Sequence, residues 1–364
     1  MININNEKKS EGVLYIYAPN IHVGGGKTLL DALLFLKLKN LKIIAVLDSR
    51  NIIKSENYNN FIYKYIKPTI YSRLSAEFWL KKVVTKKDKV LFFGNMPPLF
   101  KSKGNAILYI QNRFLIDNIY KLRYLNFMQI IRNLYERMWL ILFFQNVNFI
   151  LVQTKSMADT LKTSGLIGIS NTQSILIEPF LPLDGFFCET DKKKNIEICY
   201  GEAYDFIYVA SGNGHKNHIN LIVAWCLLAA EGLFPTLCLT IDERDSPFLV
   251  DYIKDKIIKN NLKITNLGLV PQKDICEIYK ISKALIYPSK FESFGLPLIE
   301  ATKAGIAILA SELDYVRDIV DPVETFDPDS PISISRAVRR FLGKSEGPFI
   351  VKGAKEFLNM INEF

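Results

Sequence analysis

Short apolar runs alternate along this chain with longer stretches whose apolar residues recur at helical spacing, and this alternation constrains the fold more than any other feature. Strands joined by helices pair in parallel, because a parallel neighbour is reached only through a crossover. In the first half the strand-like runs are Val13–Ala18, Lys42–Leu47, Val90–Phe93, Ala106–Ile110 and Phe149–Val152. Helical stretches stand between some of them, notably Thr28–Lys39 and Phe127–Phe144. The rhythm breaks over Leu181–Tyr204, where Pro182, Gly185, the run Asp191-Lys192-Lys193-Lys194 and Gly201 read as an interdomain connection. It then resumes with strands at Phe206–Ala210, Thr236–Ile241, Lys263–Leu267 and Ala284–Tyr287, and a final one at Ile306–Ala310. Helices fall at Asn217–Ala230, at Phe248–Lys259, from Asp274 onward, and at Pro297–Lys303, where Gly305 suits a left-handed C-cap. The expected architecture is α/β, with two doubly wound Rossmann-like domains facing each other across a cleft at the carboxyl ends of their strands. The domains are expected at residues 1–185 and 186–345, with a C-terminal helix at residues 346–364 packing back on the first. At 364 residues, each half can bury a core of its own.

Several classes of protein are excluded by what the chain lacks. Its best apolar stretch, Met138–Phe144, is stopped by Gln145 and Asn146, well short of a spanning helix. Met1–Gly12 is polar and has no apolar core of a signal peptide. The cysteines, Cys188, Cys199, Cys226, Cys238 and Cys276, are odd in number and form no C-x-x-C pair, which fits reduced thiols in a cytoplasmic protein. With 3 histidines and no H-E-x-x-H, a catalytic metal is not expected. Charge is unevenly placed: residues 1–180 hold 25 Lys and Arg against 11 Asp and Glu, while the rest is net acidic. A basic half suits an anionic partner such as nucleic acid, a phosphorylated acceptor or an anionic membrane, although a Lys-, Asn- and Ile-rich coding bias would give the same excess.

The segment Tyr287-Pro288-Ser289-Lys290-Phe291-Glu292-Ser293-Phe294-Gly295-Leu296-Pro297-Leu298-Ile299-Glu300 carries most chemistry. A strand ends at Pro288 and a helix opens near Pro297, so Ser293, Phe294, Gly295 and Leu296 offer free backbone N–H groups at a helix N-terminus, a ready phosphate site. Glu292 and Glu300 flank that site and suit the hydroxyl-rich groups on either side of a nucleotide sugar's diphosphate. On spacing alone, a solvent-facing glutamate followed by an ordinary helix glutamate is an equal reading. In the first half, Val23-Gly24-Gly25-Gly26-Lys27-Thr28 suggests a P-loop, but the Walker pattern needs a glycine where Ile21 stands. Phe326-Asp327-Pro328-Asp329 contains a D-x-D, which is assigned no metal because it sits in a turn before a helix.

The Glu292-to-Glu300 segment resembles the E-x7-E signature of the retaining glycosyltransferases of family 4, the group 1 transferases, which have the GT-B fold. The resemblance runs in order through most of residues 205–342. It implies that Glu292 approaches the donor sugar hydroxyls and that Glu300 holds the ribose. Val209-Ala210-Ser211-Gly212-Asn213-Gly214-His215-Lys216 resembles the family's G-R-x-x-x-x-K-G loop, with Lys216 on the lysine that neutralises the diphosphate. Ser211 stands where the family has arginine, leaving His215, His218 or Arg113 to compensate. Gly268-Leu269-Val270-Pro271, with Asp274 as N-cap, is similar to the loop that cups the base, so Val270 is a donor contact. Gly25 and Gly26 match the family's N-terminal G-G loop. Gln111-Asn112-Arg113 stands where many members carry a histidine near the donor sugar, so Asn112, Arg113 and His22 are expected sugar or acceptor contacts.

Arg113–Phe144 mixes five basic residues with Phe114, Tyr120, Tyr124, Phe127, Tyr135 and Trp139, against only Asp117 and Glu136. Such a segment suits an anionic bilayer surface, with its rings at headgroup level, and equally a buried helix with charged flanks. The resemblance implies a metal-independent, cofactor-free transferase moving a sugar from a nucleotide-diphosphate sugar to a lipid-linked saccharide in envelope polysaccharide or O-antigen synthesis. The expected location is cytoplasmic, peripheral at the inner face of the membrane. Rival readings are a nucleotide-sugar 2-epimerase of the same fold, a degenerate transferase acting as a scaffold, and a basic nucleic-acid-binding protein. No RRM, helix-turn-helix or zinc-finger pattern supports the last, and no nucleic acid is expected.

Overall fold

A computed structural model describes residues 12–36, 42–51, 61–165, 174–180 and 203–344. The expected interdomain connection, apart from its last residues, the C-terminal helix at 346–364, and Cys188 and Cys199 lie outside the described residues. The first sheet has seven strands: β1 (Leu14–Ala18), β2 (Ile43–Asp48), β3 (Phe61–Ile66), β4 (Lys89–Phe92), β5 (Asn105–Ile110), β6 (Phe149–Val152) and β7 (Ser174–Ile177). They lie in the order β3-β2-β1-β4-β5-β6-β7. The second has six: β8 (Tyr204–Tyr208), β9 (Leu237–Leu239), β10 (Ile264–Asn266), β11 (Ser282–Tyr287), β12 (Ala307–Ser311) and β13 (Glu324–Phe326), in the order β10-β9-β8-β11-β12-β13. The pairings in both are parallel, with Leu14 opposite Ile43 in the first sheet and Phe206 opposite Ala284 in the second.

The helices are α1 (Gly24–Leu34), α2 (Ile70–Val83), α3 (Phe127–Phe143), α4 (Lys155–Thr163), α5 (His218–Ala230), α6 (Pro247–Asn260), α7 (Gln272–Lys280), α8 (Leu296–Ala304), α9 (Asp314–Arg317) and α10 (Pro331–Phe341). Helices cover the sheets, so the central strands read as nearly unbroken apolar runs; Ile16, Val46, Leu108 and Ile150 are buried in the first half. Phe206, Ile286 and Leu309 belong to one core in the second half, where Trp225 of α5 packs edge-on against Phe206. Gly305 closes α8 at φ 71°, in the left-handed cap expected of it.

Some elements depart from the sequence reading. Ile306–Ala310 is not the final strand, because β13 adds one more at the sheet edge. With three residues and only Phe326 buried, β13 shows too little pattern to be read. Similarly, β3 is an edge strand of mostly half-exposed residues, and β7 is short and mostly exposed. The first helix begins at Gly24 rather than Thr28: tertiary context overrides the poor helix propensity of three glycines. Asp274 lies in the first turn of α7, whose N-cap position is Pro271, so it is not the cap. Among the described residues no helix is long and apolar enough to cross a membrane.

Strand order reverses between β1 and β4 in one sheet and between β8 and β11 in the other. Loops on either side of such a switch point diverge and leave a crevice. Those following β1, β8 and β11 carry the glycines, Lys216 and Glu292. The halves also touch directly: Arg113 N–H donates to Ser293 Oγ at 2.9 Å, Phe114 packs on Phe291 with centroids 4.5 Å apart, and Ser156 N–H donates to Asp318 Oδ2 at 2.8 Å.

Candidate functional site

The loops after β8 and β11 are stitched together by backbone groups. Lys290 N–H donates to the His215 carbonyl at 2.8 Å, and Asn217, in left-handed conformation, sends its Nδ2 to the carbonyls of Pro288 and Pro328. The carbonyl of Lys216 accepts the buried Tyr208 hydroxyl at 2.7 Å. With its backbone fixed, Lys216 extends its side chain so that Nζ lies 2.5 Å from Glu292 Oε1. The same oxygen accepts a hydrogen bond from Ser289 Oγ at 2.6 Å, and the Ser289 carbonyl accepts one from Tyr315 at 2.8 Å. Burial alone pushes the Glu292 carboxyl up, but the Lys216 ammonium and the hydrogen bonds outweigh it and hold the group below its ordinary range. Glu292 is thus a mostly enclosed anion paired with the Lys216 cation, held where the strand ends.

The backbone continues into α8. Gly295, its N-cap, sits at φ 73°, a conformation costly for most residues with a Cβ, and turns the chain so that the opening amides of α8 face the same space. Glu300, one turn on, is half-buried and accepts a hydrogen bond from Tyr279 at 3.2 Å. On the β8 side, Gly212 lets the backbone pass Ser246 closely, since a Cβ there would lie 2.2 Å from Ser246 Oγ. Across the gap stands the first turn of α1, and a Cβ on Gly25 would touch Leu296 Cδ1 at 3.5 Å. Two helix N-termini, one from each half, therefore converge, and both favour an anion between them.

The space they enclose is a cleft of about 630 Å³. From the first half it takes Gly25 and Gly26; from the second, Ser211, Gly212, Lys216 and Val270; and from the β11–α8 segment, Glu292, Ser293, Phe294, Gly295, Leu296 and Glu300. Every residue that the sequence assigns to donor binding or catalysis lines this one cleft. Asn112 and His22 line an adjoining chamber of about 320 Å³ that shares Gly26, Gln111, Glu292 and Ser293 with it. Arg113 lines neither. Its Nε binds Asp117 at 3.0 Å and its guanidinium lies 5.1 Å over the Phe291 ring, so it braces the two halves and is not placed to touch sugar or acceptor.

The histidines suggested in place of the missing arginine do not supply a cation. Burial pushes His218 down to about 3 and His215 down to about 4, so both are neutral near pH 7. Ser211 Oγ accepts a hydrogen bond from Asn213 Nδ2 at 3.0 Å. Lys27, a residue the sequence reading passes over once the Walker pattern fails, is instead the second cation among the described residues lining the cleft, and it is paired with Asp31 on α1. Gln111 and Asp242 are further lining residues that carry no sequence signal of their own. In the D-x-D turn, Asp329 pairs with Lys290 and the Asp327 carboxylate accepts the Asp329 N–H, so both acids have structural employment.

Residues 189–348 match the family model of glycosyl transferases group 1. An 80-residue stretch is 32% identical to the O-antigen chain mannosyltransferase B of Escherichia coli, covering 22% of this chain and 21% of that one. A 160-residue stretch is 28% identical to the serotype-specific mannosyltransferase WbdA of Escherichia coli, covering 43% of this chain and 19% of the relative. The matches span about a fifth of the length of these curated relatives. Among solved structures, a glycosyltransferase from Rickettsia africae superposes with a TM-score of 0.65 at 13% identity, covering 92% of this chain and 89% of the other. Anabaena HepE in complex with UDP and glucose superposes with a TM-score of 0.61 at 12% identity, covering 91% and 90%. Over residues 189–348 the chain matches the glycosyl transferases group 1 family, and its two parallel sheets form the GT-B fold.

Proposed function

We propose that the protein is a retaining, family 4 glycosyltransferase that moves a sugar from a nucleotide-diphosphate sugar to a lipid-linked saccharide in envelope polysaccharide or O-antigen synthesis, at the cytoplasmic face of a membrane. The observation that carries the reading is the Lys216–Glu292 pair set beside the α8 N-terminus, with Glu300 in the same cleft. That arrangement offers a cation and backbone amides for a diphosphate, with a carboxylate on each side for sugar hydroxyls. The names of the Escherichia coli relatives support a role in polysaccharide synthesis, and the HepE complex supports a nucleotide sugar as donor.

In this reading the donor diphosphate lies across the opening amides of α8, with Lys216 on its oxygens and Glu300 on the ribose. Glu292 holds the transferring sugar. The C1–O bond to the diphosphate breaks as the acceptor hydroxyl oxygen bonds to C1 from the same face, and the hydroxyl proton passes to the departing phosphate oxygen. Charge growing on the leaving group is met by Lys216 and by amides already pointing at it, a preorganised electrostatic contribution that needs no metal or cofactor. The adjoining chamber with Asn112 and His22 receives the acceptor.

A thermal-shift screen of the purified chain against UDP-, GDP-, ADP- and dTDP-sugars tests donor binding, since a ligand of the folded state raises its melting temperature. NMR of the product made from the donor that binds then reads the anomeric configuration. An inverted product refutes retention, and a 2-epimer formed from donor alone refutes transfer.

A further inference from the structure

Helix α3 is built inside out. Its inward side carries Asn133 and Glu136, both buried, along with Leu140. Asn133 Oδ1 accepts from Asn112 Nδ2 at 2.9 Å, and Glu136 pairs with Arg132 at 2.8 Å. The outward side carries Phe127 (74% exposed), Met128 (73%), Ile131, Tyr135, Met138 (54%) and Leu142 (55%). These recur every three or four residues and form one continuous apolar stripe, about 25 Å long for 17 residues. Scattered exposed apolar residues need no explanation, but a whole helical face of them does.

We propose that this face of α3 seats the protein on an anionic lipid bilayer, its apolar side chains entering the boundary between headgroups and acyl chains and the flanking cations meeting lipid phosphates. Charge selects the occupant. The carboxylate of α3, Glu136, is turned inward, while Arg132 stands 64% exposed at the edge of the stripe and Arg123 is exposed just before it. Residues 1–180 as a whole carry 14 more basic than acidic groups. A two-fold pairing of two copies through this stripe would set those arginines against one another, whereas an anionic bilayer attracts them. Tyr135, exposed on the same face, supplies an amphipathic aromatic that favours the headgroup region. The seat also has a geometric consequence: Arg132 lines the chamber next to the donor cleft, so the headgroup plane meets the mouth of that chamber.

This inference deepens the reading of a lipid-linked acceptor, and its test is independent of catalysis. The purified full chain, without donor or acceptor, is floated with vesicles of phosphatidylcholine alone and with vesicles that also contain phosphatidylglycerol. Binding is expected only to the anionic vesicles and is expected to weaken as salt rises. Met128→Glu with Met138→Glu should lower partition at least about tenfold, and leave the nucleotide-induced thermal shift unchanged. Both positions are exposed, so the fold tolerates the change, and Met138→Glu alone serves as a second variant. The proposal is overturned if the wild-type chain does not float with anionic vesicles. It is also overturned if the variants float as well as wild type, or if wild type forms a dimer that the variants dissociate while vesicle binding is absent.

Discussion

Replacing Glu292 by glutamine should move two measurements in opposite directions. The Lys216 ammonium is bound to Glu292 at 2.5 Å, so an incoming diphosphate must share that cation and also approach a carboxylate. Glutamine keeps the shape and an oxygen for Ser289 but removes the negative charge. With charges about 6 Å apart at an effective dielectric of about 20, the repulsion relieved is about 3 kcal/mol at most. Reorganisation of Lys216 and residual water absorb part of this, leaving about a tenfold tightening for a nucleoside diphosphate without sugar. Turnover should fall about 100- to 1000-fold, as for the loss of one preorganised transition-state contact. The stability loss should be smaller than the roughly 3–5 kcal/mol for breaking a fully enclosed pair, because Lys216 reaches water in the cleft. Calorimetric titration with GDP and UDP, paired with single-turnover transfer, reads both effects. Weaker diphosphate binding, or turnover within about threefold of wild type, would refute competition between the carboxylate and the phosphate for Lys216.

The buried histidines predict acid sensitivity: with His218 pushed down to about 3 and His215 to about 4, the unfolded chain gains two protons below its ordinary histidine value that the fold refuses. Glu77, which burial pushes up to about 7, keeps a proton in the fold and opposes them, so urea unfolding should show stability falling by about 1.4 kcal/mol per unit as pH drops from about 6.5 to about 5. A flat slope there would contradict neutral burial, and Glu77→Gln should steepen it. Gly295→Ala forces a φ of 73° on a residue with a Cβ and brings that Cβ to 3.0 Å from Leu298 Cδ1, so a loss of about 1–2 kcal/mol and a raised donor KM are expected from melting and steady-state kinetics. Lys27→Met should raise donor KM about tenfold with kcat changed less, and an unchanged KM would show that Lys27 serves only Asp31.

How much of this was legible in the sequence depends on how local each signal is. The central strands could be read because burial on both faces makes them continuous apolar runs, as in Phe206–Tyr208 and Leu285–Tyr287. Edge strands could not, because β3 and β13 alternate weakly and are fixed by a neighbour rather than by their own residues. Glu292, Gly295 and Glu300 were legible because a strand end, a turn and a helix start lie within one short segment. Lys27, Gln111 and Asp242 join the cleft from separate elements, a helix start and two loops, and only the strand order brings them there. The identity of a lysine beside glycines was visible; which space it faces was not.

Arg113 shows the same limit from the other side. Its position after β5 suggested a sugar contact, yet Asp117, four residues along, draws its guanidinium away, and the ring of Phe291 from the opposite domain lies beneath it. A residue expected to touch sugar thereby becomes part of the joint between domains. Among the described residues the cations lining the cleft are Lys216 and Lys27, one from each half. A diphosphate held between them is fully met only when the two halves are together, because the second cation and the second helix N-terminus both belong to the opposite domain. If the proposed donor site is right, a chain with Ser211 where the family has arginine divides between two domains the electrostatic work that one loop would have done, and makes it depend on the contacts that Arg113 and Phe291 make between them.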